Sequence, residues 1–420
     1  MKKTLLLSIV ASTMIMAGGD IAPVEPAVVA PAPAPVVESN WKFSGQGVVY
    51  YQTDDAAVAI SGAGTGDLFD QDAAGANAGL QFTATNADVV AGIGFGAQAN
   101  VLGTLGLEED VVSNVMQLAN GSFNSAYLSQ LYLTYGVGNT SLKVGRQELP
   151  KALSPFAYSE DWNVFTNTFN AALLVNTDLP DTVLVGAWVR DNNVNGMHAE
   201  MNTFGSTNWD NGVFMLTAQN KSIADLTLTG SWYYGADFSN TLVPGSNEDA
   251  NILWADAQYN AGIANIALQG GAVMCDALAD DTTAFGAMIS GKLDMINAHV
   301  AYSHVNDSSL GMFQVGGSTS ALYTDTALDQ VSPLGTALRN DMDKFVVAAN
   351  ADVLGGNLTG AYAYTDGTKA LAGGTEVNEV DVVYATHITS NLVGVLAYVY
   401  ADIDGVTDAN LIRAVAKYNF

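Results

Sequence analysis

The feature that most constrains this chain is a period-two alternation of apolar and polar residues, repeated in many segments from Trp41 onward. In residues 226 to 234, for example, leucine, glycine, tryptophan and tyrosine occupy the even positions, and threonine, serine and tyrosine occupy the odd ones. Successive side chains of a β-strand point to opposite faces, so each segment has one apolar and one more polar face. The pattern therefore predicts a chain built of strands.

Eighteen such segments can be placed, and short joins such as 137–139 and 355–356 alternate with long ones such as 103–124 and 306–342. An even number of strands of roughly ten residues, joined in this way, is typical of an outer-membrane barrel. We predict an all-β fold, a transmembrane antiparallel β-barrel of 18 strands, with 16 as the alternative count. The predicted strands are 41–53, 76–86, 89–102, 125–136, 140–148, 164–176, 181–190, 210–219, 225–235, 251–260, 264–275, 283–293, 297–305, 343–353, 357–365, 377–388, 391–401 and 409–420.

Composition excludes several other classes of protein. Only one stretch, near the N-terminus, resembles a long apolar run, so a polytopic helical membrane protein is excluded. The formal net charge of −28 argues against nucleic acid as a partner, because phosphate binding needs clustered lysine and arginine. The single cysteine, Cys275, excludes an intramolecular disulfide and a zinc site built on thiolates.

The N-terminus predicts export from the cytoplasm. Two lysines, the apolar run 5–16 and the small residues 17–19 form a secretory signal peptide, residues 1–19. The alternative is an ordinary buried N-terminal helix. Five prolines among alanine and valine make residues 20–40 an Ala/Pro-rich linker, since such a run favours extended polyproline II. The barrel then occupies residues 41–420.

The C-terminus carries an assembly signal. The chain ends on Tyr418-Asn419-Phe420, which resembles the aromatic-x-Phe terminus that the barrel-insertion machinery recognises in outer-membrane proteins. Tyr418 and Phe420 are the residues that would be recognised. We therefore expect the outer membrane of a Gram-negative bacterium as the location. Outer-membrane lipid, lipopolysaccharide and the barrel-assembly machinery are the expected partners.

Residues 141–151, running into 158–161, resemble the segment before the constriction loop in the OprD-like family of porins. The whole barrel also looks like the major porins of epsilonproteobacteria. This resemblance implies a homotrimeric, water-filled channel for passive diffusion of small hydrophilic solutes and ions. It also implies that the third external loop, 149–163, folds into the barrel and narrows it.

With the more apolar face of each strand turned to lipid, the remaining charges are expected to line the lumen. Strict alternation would place Arg146 on the lipid side, but Gly145 before it can form a bulge, so we expect Arg146 in the lumen as well. The predicted constriction residues are Lys143, Arg146, Glu148, Lys151, Glu160, Asp161 and Arg190. The predicted lumen-wall residues are Lys42, Asp256, Lys292, Lys344, Asp352, Glu379, Asp381, Arg413 and Lys417.

Acids on the third external loop would face these wall cations. Glu160 and Asp161, with Glu148 at the base of the loop, would set up a transverse field across the constriction. The alternative is that Glu160 and Asp161 only solvate a surface loop. No cofactor is predicted, but the acidic external loops could be bridged by structural Ca²⁺. The weak calcium candidates are Asp402, Asp404 and Asp408.

Enzymatic functions find little support, and no enzyme is predicted. The G-x-x-x-x-G-K spacing at 286–292 lacks the following serine or threonine that Mg²⁺ binding requires. Ser303 and His304 are neighbours that should face opposite sides of a strand, which does not make a triad. The main alternative to a porin is a surface adhesin or antigen whose barrel displays the long loops. An outer-membrane hydrolase is less favoured.

Overall fold

The computed structural model describes residues 40–55, 66–208, 211–238, 247–308, 310–331, 340–367, 375–405 and 407–420. The predicted signal peptide, and the linker up to residue 39, lie outside the described residues. Among the residues that are described, no helix is both long and apolar enough to cross a membrane.

Eighteen long antiparallel strands form the fold, one for each predicted strand. They are β1 (Trp41–Asp54), β2 (Ala74–Val90), β3 (Ile93–Gly103), β4 (Ser125–Val137), β5 (Thr140–Gln147), β6 (Phe169–Asn176), β7 (Thr182–Asn192), β8 (Val213–Asn220), β9 (Leu226–Gly235), β10 (Ala250–Asn260), β11 (Asn265–Cys275), β12 (Thr282–Leu293), β13 (Ile296–Val305), β14 (Met342–Val353), β15 (Gly356–Gly367), β16 (Thr375–His387), β17 (Leu392–Ile403) and β18 (Thr407–Asn419).

Each strand pairs with its neighbours in sequence, and the last strand closes the ring against the first. Gln46 of β1 lies opposite Asn419 of β18, and Asp54 lies opposite Leu411. Because the barrel is closed, none of these strands has a free edge. A sheet that spans a membrane must be closed in this way, since lipid cannot hydrogen-bond to backbone groups at an open edge. The predicted barrel of 18 strands is confirmed, and the alternative of 16 is wrong.

Shorter elements lie in the connections. A two-residue strand, Gly205–Ser206, pairs with the end of β7, and Gln117–Leu118 pairs in parallel with Ala199–Glu200. The α-helix α1 (Ala327–Val331) lies between β13 and β14. Among the described residues there are also three short 3₁₀-helices, at Gln71–Ala73, Leu107–Glu109 and Lys151–Leu153.

Alternating exposure distinguishes the two faces of the wall. In β18, Leu411 and Arg413 are buried on the inner face, whereas Tyr418 is 46% exposed on the outer face. In β9, Tyr233 is buried and Trp232 is 41% exposed. Leucine, valine and aromatic side chains are exposed on the outer face, as expected of the outer surface of a membrane-spanning barrel.

The largest difference from the predicted strand boundaries is at β6, which begins at Phe169 rather than at residue 164. The segment 164–168 alternates like a strand, but its backbone amides bond to side chains instead of a neighbouring strand. The amide of Phe165 donates to Gln117 Oε1 (3.0 Å), and the amide of Thr168 donates to Asn193 Oδ1 (2.6 Å). These residues therefore belong to the connection that precedes β6.

Two long connections supply much of the buried core inside the wall. We call residues 148–168, between β5 and β6, loop 3, and residues 306–341, between β13 and β14, loop 7. Trp162 of loop 3 and Leu328 of loop 7 belong to one cluster with Tyr50 of β1. Leu149 and Phe156 of loop 3 belong to a second cluster with inward-facing residues of β6 to β10.

Candidate functional site

Loop 3 contacts one side of the inner wall through Phe156. Its ring lies edge-on to those of Tyr233 on β9 and Trp254 on β10, with centroid separations of 5.6 and 5.4 Å. Its backbone amide donates a hydrogen bond to the Tyr233 hydroxyl (3.2 Å). Both wall side chains are buried on the inner face. Edge-to-face packing and this hydrogen bond therefore hold loop 3 against β9 and β10.

The later part of loop 3 contacts β18. Nζ of Lys417 donates to the carbonyl oxygen of Asp161 (3.3 Å). The guanidinium of Arg413 lies 5.4 Å from the ring of Trp162, which is within the range of a cation–π interaction. In a ring of 18 strands, β9 and β18 are half a circumference apart. Loop 3 therefore contacts inward-facing side chains on opposite sides of the barrel.

The carboxylate of Glu160 joins loop 3 to loop 7. It accepts hydrogen bonds from the indole of Trp162 and the side-chain amide of Gln314, both at 2.8 Å. It also accepts from the backbone amides of Thr319 (2.8 Å) and Ser318 (3.3 Å). Glu160 is only 4% exposed, so it needs these donors to replace its hydration. None of these donors is a wall cation, so these contacts do not place Glu160 across an open eyelet from the wall.

Two further contacts join the same loops. Nζ of Lys151 lies 3.7 Å from Oδ2 of Asp325. The hydroxyl of Tyr158 hydrogen-bonds to Oγ1 of Thr319 (2.5 Å) and donates to the carbonyl of Ser320 (2.8 Å). The predicted constriction residue Lys151 is thus paired with loop 7.

Helix α1 of loop 7 begins with a capping arrangement that includes a wall lysine. Oδ2 of Asp329 accepts from the backbone amide of Thr326 (2.6 Å) and lies 2.9 Å from the hydroxyl oxygen of the same residue. The same oxygen lies 2.6 Å from Nζ of Lys344 on β14. Lys344 is 5% exposed, so this is a buried ion pair. Its position on the inner wall agrees with the prediction from alternation.

Two acids of β16 bind the N-terminus of α1. Glu379 accepts from the backbone amide of Leu328 (2.7 Å) and the hydroxyl of Thr326 (2.6 Å). Asp381 accepts from the backbone amide of Ala327 (3.2 Å). The first amides of a helix have no partner within the helix, and carboxylates are favourable acceptors there. Both predicted lumen-wall acids therefore face inward and hold loop 7.

Two more wall residues contact loop 7. Arg413 donates from Nε to Gln52 of β1 (3.1 Å) and from Nη1 to Gln330 of loop 7 (3.2 Å). The hydroxyl of Tyr323 donates to the carboxylate of Asp256 on β10. Burial and the neighbouring Asp256 charge raise the pKa of the Tyr323 phenol, so it remains a donor at neutral pH.

Lys143 within β5 and Glu148 just after it contact residues of the inner wall and of loop 3. Nζ of Lys143 lies 3.9 Å above the ring of Tyr132. Glu148 accepts from the side chains of Gln130 and Thr166, both at 2.8 Å. These positions agree with a lumen location, whereas the transverse field assigned to these residues stays a prediction.

Three of the predicted lumen-wall residues occupy the inward-facing alternate positions of their strands: Lys42, Lys292 and Asp352. They are exposed, because they lie at the strand ends where the short turns are. Lys42 is eight residues from Tyr50, or roughly 26 Å along β1 at about 3.3 Å per residue. These residues are therefore far from the contacts of loops 3 and 7. Their expected place on the lumen wall agrees with the register.

Arg146 lies on the outer face, and the expectation that it lines the lumen is wrong. It pairs with Leu131 of β4, whose side chain is 44% exposed on the outer face. Gly145 has an unusual φ of 126°, yet the pairing runs through it without a shift of register. Alternation is therefore kept, and Arg146 follows Val144 to the outside.

Arg190 also lies on the outer face, against the prediction. In β7 the inward residues are Val185, Ala187 and Val189, which pack in the same cluster as loop 3. Both faces of this strand are therefore apolar, so the more apolar face could not be used to decide which side meets lipid. Arg190 follows Val189 and therefore faces outward. It is the unpaired residue of a bulge between Val189 and Asp191, and its side chain is 53% exposed.

The C-terminal aromatic residues lie on the outer face beside β1. Phe420 exchanges backbone hydrogen bonds with Gly45 (2.9 and 3.0 Å) and packs edge-on to Phe82 at 5.9 Å. Tyr418 stacks with Phe420 at 6.2 Å. A Cβ atom at Gly45 would collide with the Phe420 ring, so the close approach requires glycine. Recognition by the assembly machinery stays a prediction.

The calcium candidates lie at the join of β17 and β18, where Asp402 pairs with Asp408 and the amide of Asp404 donates to the carbonyl of Glu376. Within the part of the chain that the structure describes, no group of three or more histidine, cysteine or acidic residues could hold a metal ion. Calcium at the external loops stays a prediction.

Ser303 and His304 face opposite sides of β13, as alternation predicts. Ser303 is fully buried on the inner face, whereas His304 contacts Asp343 on the outer face (3.0 Å). The pair cannot form a nucleophile and base, since these must be in hydrogen-bond reach.

Sequence reasoning missed the contribution of loop 7. Its long join was noted, but not the Thr-Ala-Leu-Asp sequence at 326–329 within it. A threonine followed three residues later by an acid is a helix-start signal, and here it marks the beginning of α1. That signal could have placed a helix in loop 7, although not its contacts with the wall.

Comparisons with known proteins identify the fold. No family model and no curated protein matches the sequence. Among solved structures, Pseudomonas aeruginosa OccK1 (OpdK) has a TM-score of 0.70 at 14% identity, covering 90% of this chain and 98% of that one. OccK9 (OpdG) of the same organism has a TM-score of 0.70 at 13% identity, with the same coverage. Acinetobacter baumannii OccAB3 has 0.67 at 14% identity, covering 90% and 99%. The likeness is one of fold at this identity, and the chain is an antiparallel β-barrel with the 18-stranded fold of the OprD-like porins.

Proposed function

We propose that this protein is a porin for passive diffusion of small hydrophilic solutes and ions. A closed barrel of 18 strands supports the proposal, because only the larger barrels are wide enough for an aqueous path. The fold is shared with porins that span almost the same length. Polar and charged side chains on the inner face further support contact with water rather than lipid.

We further propose that loop 3 folds inward and constricts the pore together with loop 7. The observation that carries this proposal is the contact of loop 3 with walls half a circumference apart, at Tyr233 and Lys417. Glu160 and Lys151 then tie loop 3 to loop 7, which is itself held by β14 and β16. A segment anchored on both walls reduces the area open to solutes.

The charges around these loops favour cations. Acids outnumber cations there, so the net field of the constriction is negative if all are ionised. Among the described residues, the acids are Glu148, Glu160, Asp161, Asp256, Asp307, Asp325, Asp329, Asp341, Glu379 and Asp381, and the cations are Lys143, Lys151, Lys344, Arg413 and Lys417.

Solute identity is proposed only by size class. OpdK, one of the structures with a similar fold, was solved with vanillate, a small aromatic carboxylate. We propose solutes of comparable size for this chain. The homotrimer, the assembly-machinery partner and the likeness to epsilonproteobacterial porins remain predictions.

Swelling of lipid vesicles that contain the purified, folded protein tests the proposal. Neutral sugars of increasing size should enter at rates that fall steeply with size, because a constriction selects by cross-section. Heat-unfolded protein at the same protein-to-lipid ratio is the control. Vesicles with folded protein that admit no sugar would overturn the porin function and favour the adhesin.

A further inference from the structure

Two arginines lie on the outer face of the barrel near its external end. Arg146 and Arg190 are close to the ends of β5 and β7, where loop 3 and the connection 193–212 begin. Among the described residues they are the only cations on this face. The other described cations face the interior, belong to loop 3, or lie in a short turn: Lys42, Lys143, Lys151, Lys221, Lys292, Lys344, Arg413 and Lys417.

The guanidinium of Arg146 is held in place without a direct hydrogen bond to an acid, and Asn170 connects it to Asp191. Nη1 donates to the carbonyl of Leu128 (2.7 Å), and Nε donates to Oδ1 of Asn170 (3.3 Å). The group lies 3.8 Å from the ring of Phe204. Neither hydrogen bond is to an acid. A fixed guanidinium loses little further freedom when it binds an anion.

Arg190 extends the same surface by way of Asp191. Asn170 donates from Nδ2 to Oδ2 of Asp191 (3.1 Å), and Oδ1 of Asp191 lies 3.8 Å from Nε of Arg190. Arg190 faces outward because it follows the inward Val189, and the bulge turns Asp191 to the same side. Two cations against one acid leave a positive surface on a chain whose formal net charge is −28.

Aromatic side chains place this surface at the depth of the lipid headgroups. Trp188, Phe204 and Phe214 lie beside it, and Phe214 is 50% exposed on the outer face. Girdles of aromatic residues mark the two membrane interfaces of outer-membrane barrels. A cation at the bilayer midplane would cost about 2–4 kcal/mol, whereas at the interface it can meet an anionic headgroup.

We infer that Arg146 and Arg190 bind the phosphate group of a phosphorylated lipid in the outer leaflet. Guanidinium groups bind phosphate with paired, charge-assisted hydrogen bonds, and Asp191 limits the affinity. The lipid is the occupant because the site opens toward the lipid-facing side of the wall rather than into the lumen. The inference depends on the barrel fold and not on channel activity.

Native mass spectrometry of the full-length, detergent-purified protein tests the site, with lipid A as the probe and dephosphorylated lipid A beside it. Arg146→Gln/Arg190→Gln should bind lipid A at least about tenfold more weakly than the wild type, and the dephosphorylated lipid should bind equally weakly to both. Lys221→Gln/Lys292→Gln removes the same charge at the other rim and should keep wild-type affinity. Equal affinity in the two double variants would overturn the site.

Asp191→Asn gives an effect that a folding defect cannot imitate. Removing the acid should strengthen lipid A binding, by roughly threefold, because its repulsion of the phosphate is lost. Unchanged or weaker binding in this variant would count against the inference. A competition experiment with inorganic phosphate tests whether the ligand is the lipid or the free ion. Displacement of lipid A by millimolar phosphate would assign the site to the free ion instead, and persistence of the lipid supports the proposal.

Discussion

Glu160 of loop 3 accepts hydrogen bonds from both the backbone amide of Thr319 (2.8 Å) and its hydroxyl, in loop 7. The two loops are therefore joined at a buried acid rather than only packed side by side. Gly317 lies against the same carboxylate, and a Cβ atom there would collide with it. The constriction that we propose is therefore made by both loops.

Replacing Glu160 by glutamine should loosen the junction of the loops. In the variant, the side-chain NH₂ of the glutamine would face donors that in the wild type bond to a carboxylate oxygen. The lost hydrogen bonds should destabilise the junction by about 1–3 kcal/mol. We expect larger and noisier single-channel currents, with the barrel still folded. Glu376→Gln, at an exposed position, is the matched control. Identical current noise in the two variants would contradict the role of Glu160.

Replacing Lys344 by methionine should release α1 from the wall. The change leaves Asp329 without its ion-pair partner in a buried site, which costs about 3–5 kcal/mol. We expect faster protease cleavage within loop 7 of the vesicle-embedded protein. Lys292→Met, an exposed lysine at the other end of the barrel, should be cleaved at the wild-type rate.

A double-mutant cycle separates the ion pair from general destabilisation. Asp329→Asn should increase the cleavage rate much less in the Lys344→Met background than in the wild type, since the partner is already gone. Additive effects on the logarithm of the rate would mean that the two residues act independently.

The two faces of the wall should differ in their effect on ion selectivity. Arg413 is inward and buried, so Arg413→Gln should increase the cation-to-anion permeability ratio by about twofold or more at low salt, as expected for the loss of one positive charge that repels cations from the lumen. Arg190→Gln removes an outward charge and should leave the ratio unchanged. Reversal potentials in a salt gradient measure both. An effect of Arg190→Gln equal to that of Arg413→Gln would contradict the assigned faces.

Deleting Phe420 should block assembly. The residue bonds to Gly45 and packs on Phe82 where the last strand meets the first, besides matching the terminal signal. We expect the truncated chain to remain unfolded in the periplasm, as measured by heat-modifiable migration on gels. Phe43→Ala removes another exposed outer aromatic near the same end and should assemble normally. Normal surface levels of the chain ending at Asn419 would contradict this prediction.

The strands could be predicted from sequence because alternation, turn spacing and chain length all describe the same barrel. Assigning the faces was harder. The prediction that the more apolar face meets lipid placed Lys344 and Arg413 correctly, since their strands have one distinctly polar face. It failed for Arg190, because the inner face of β7 packs on loop 3 and is as apolar as the outer face.

The partners of the loop acids could not be predicted for a different reason. Glu160 was expected opposite wall cations, but apart from the Trp162 indole its donors are residues of loop 7, more than 150 positions away. No local pattern carries that contact. Only the Thr326 capping signal pointed to structure in loop 7.

Single-channel recording in planar bilayers tests the central claim most directly. The folded wild-type protein should insert as discrete steps of ohmic conductance that rises with salt concentration, with a cation preference that weakens as salt screens the charges of the constriction. Protein shown to be folded by its heat-modifiable migration, yet giving no conductance steps, would contradict a channel and leave the barrel as an anchor for surface loops.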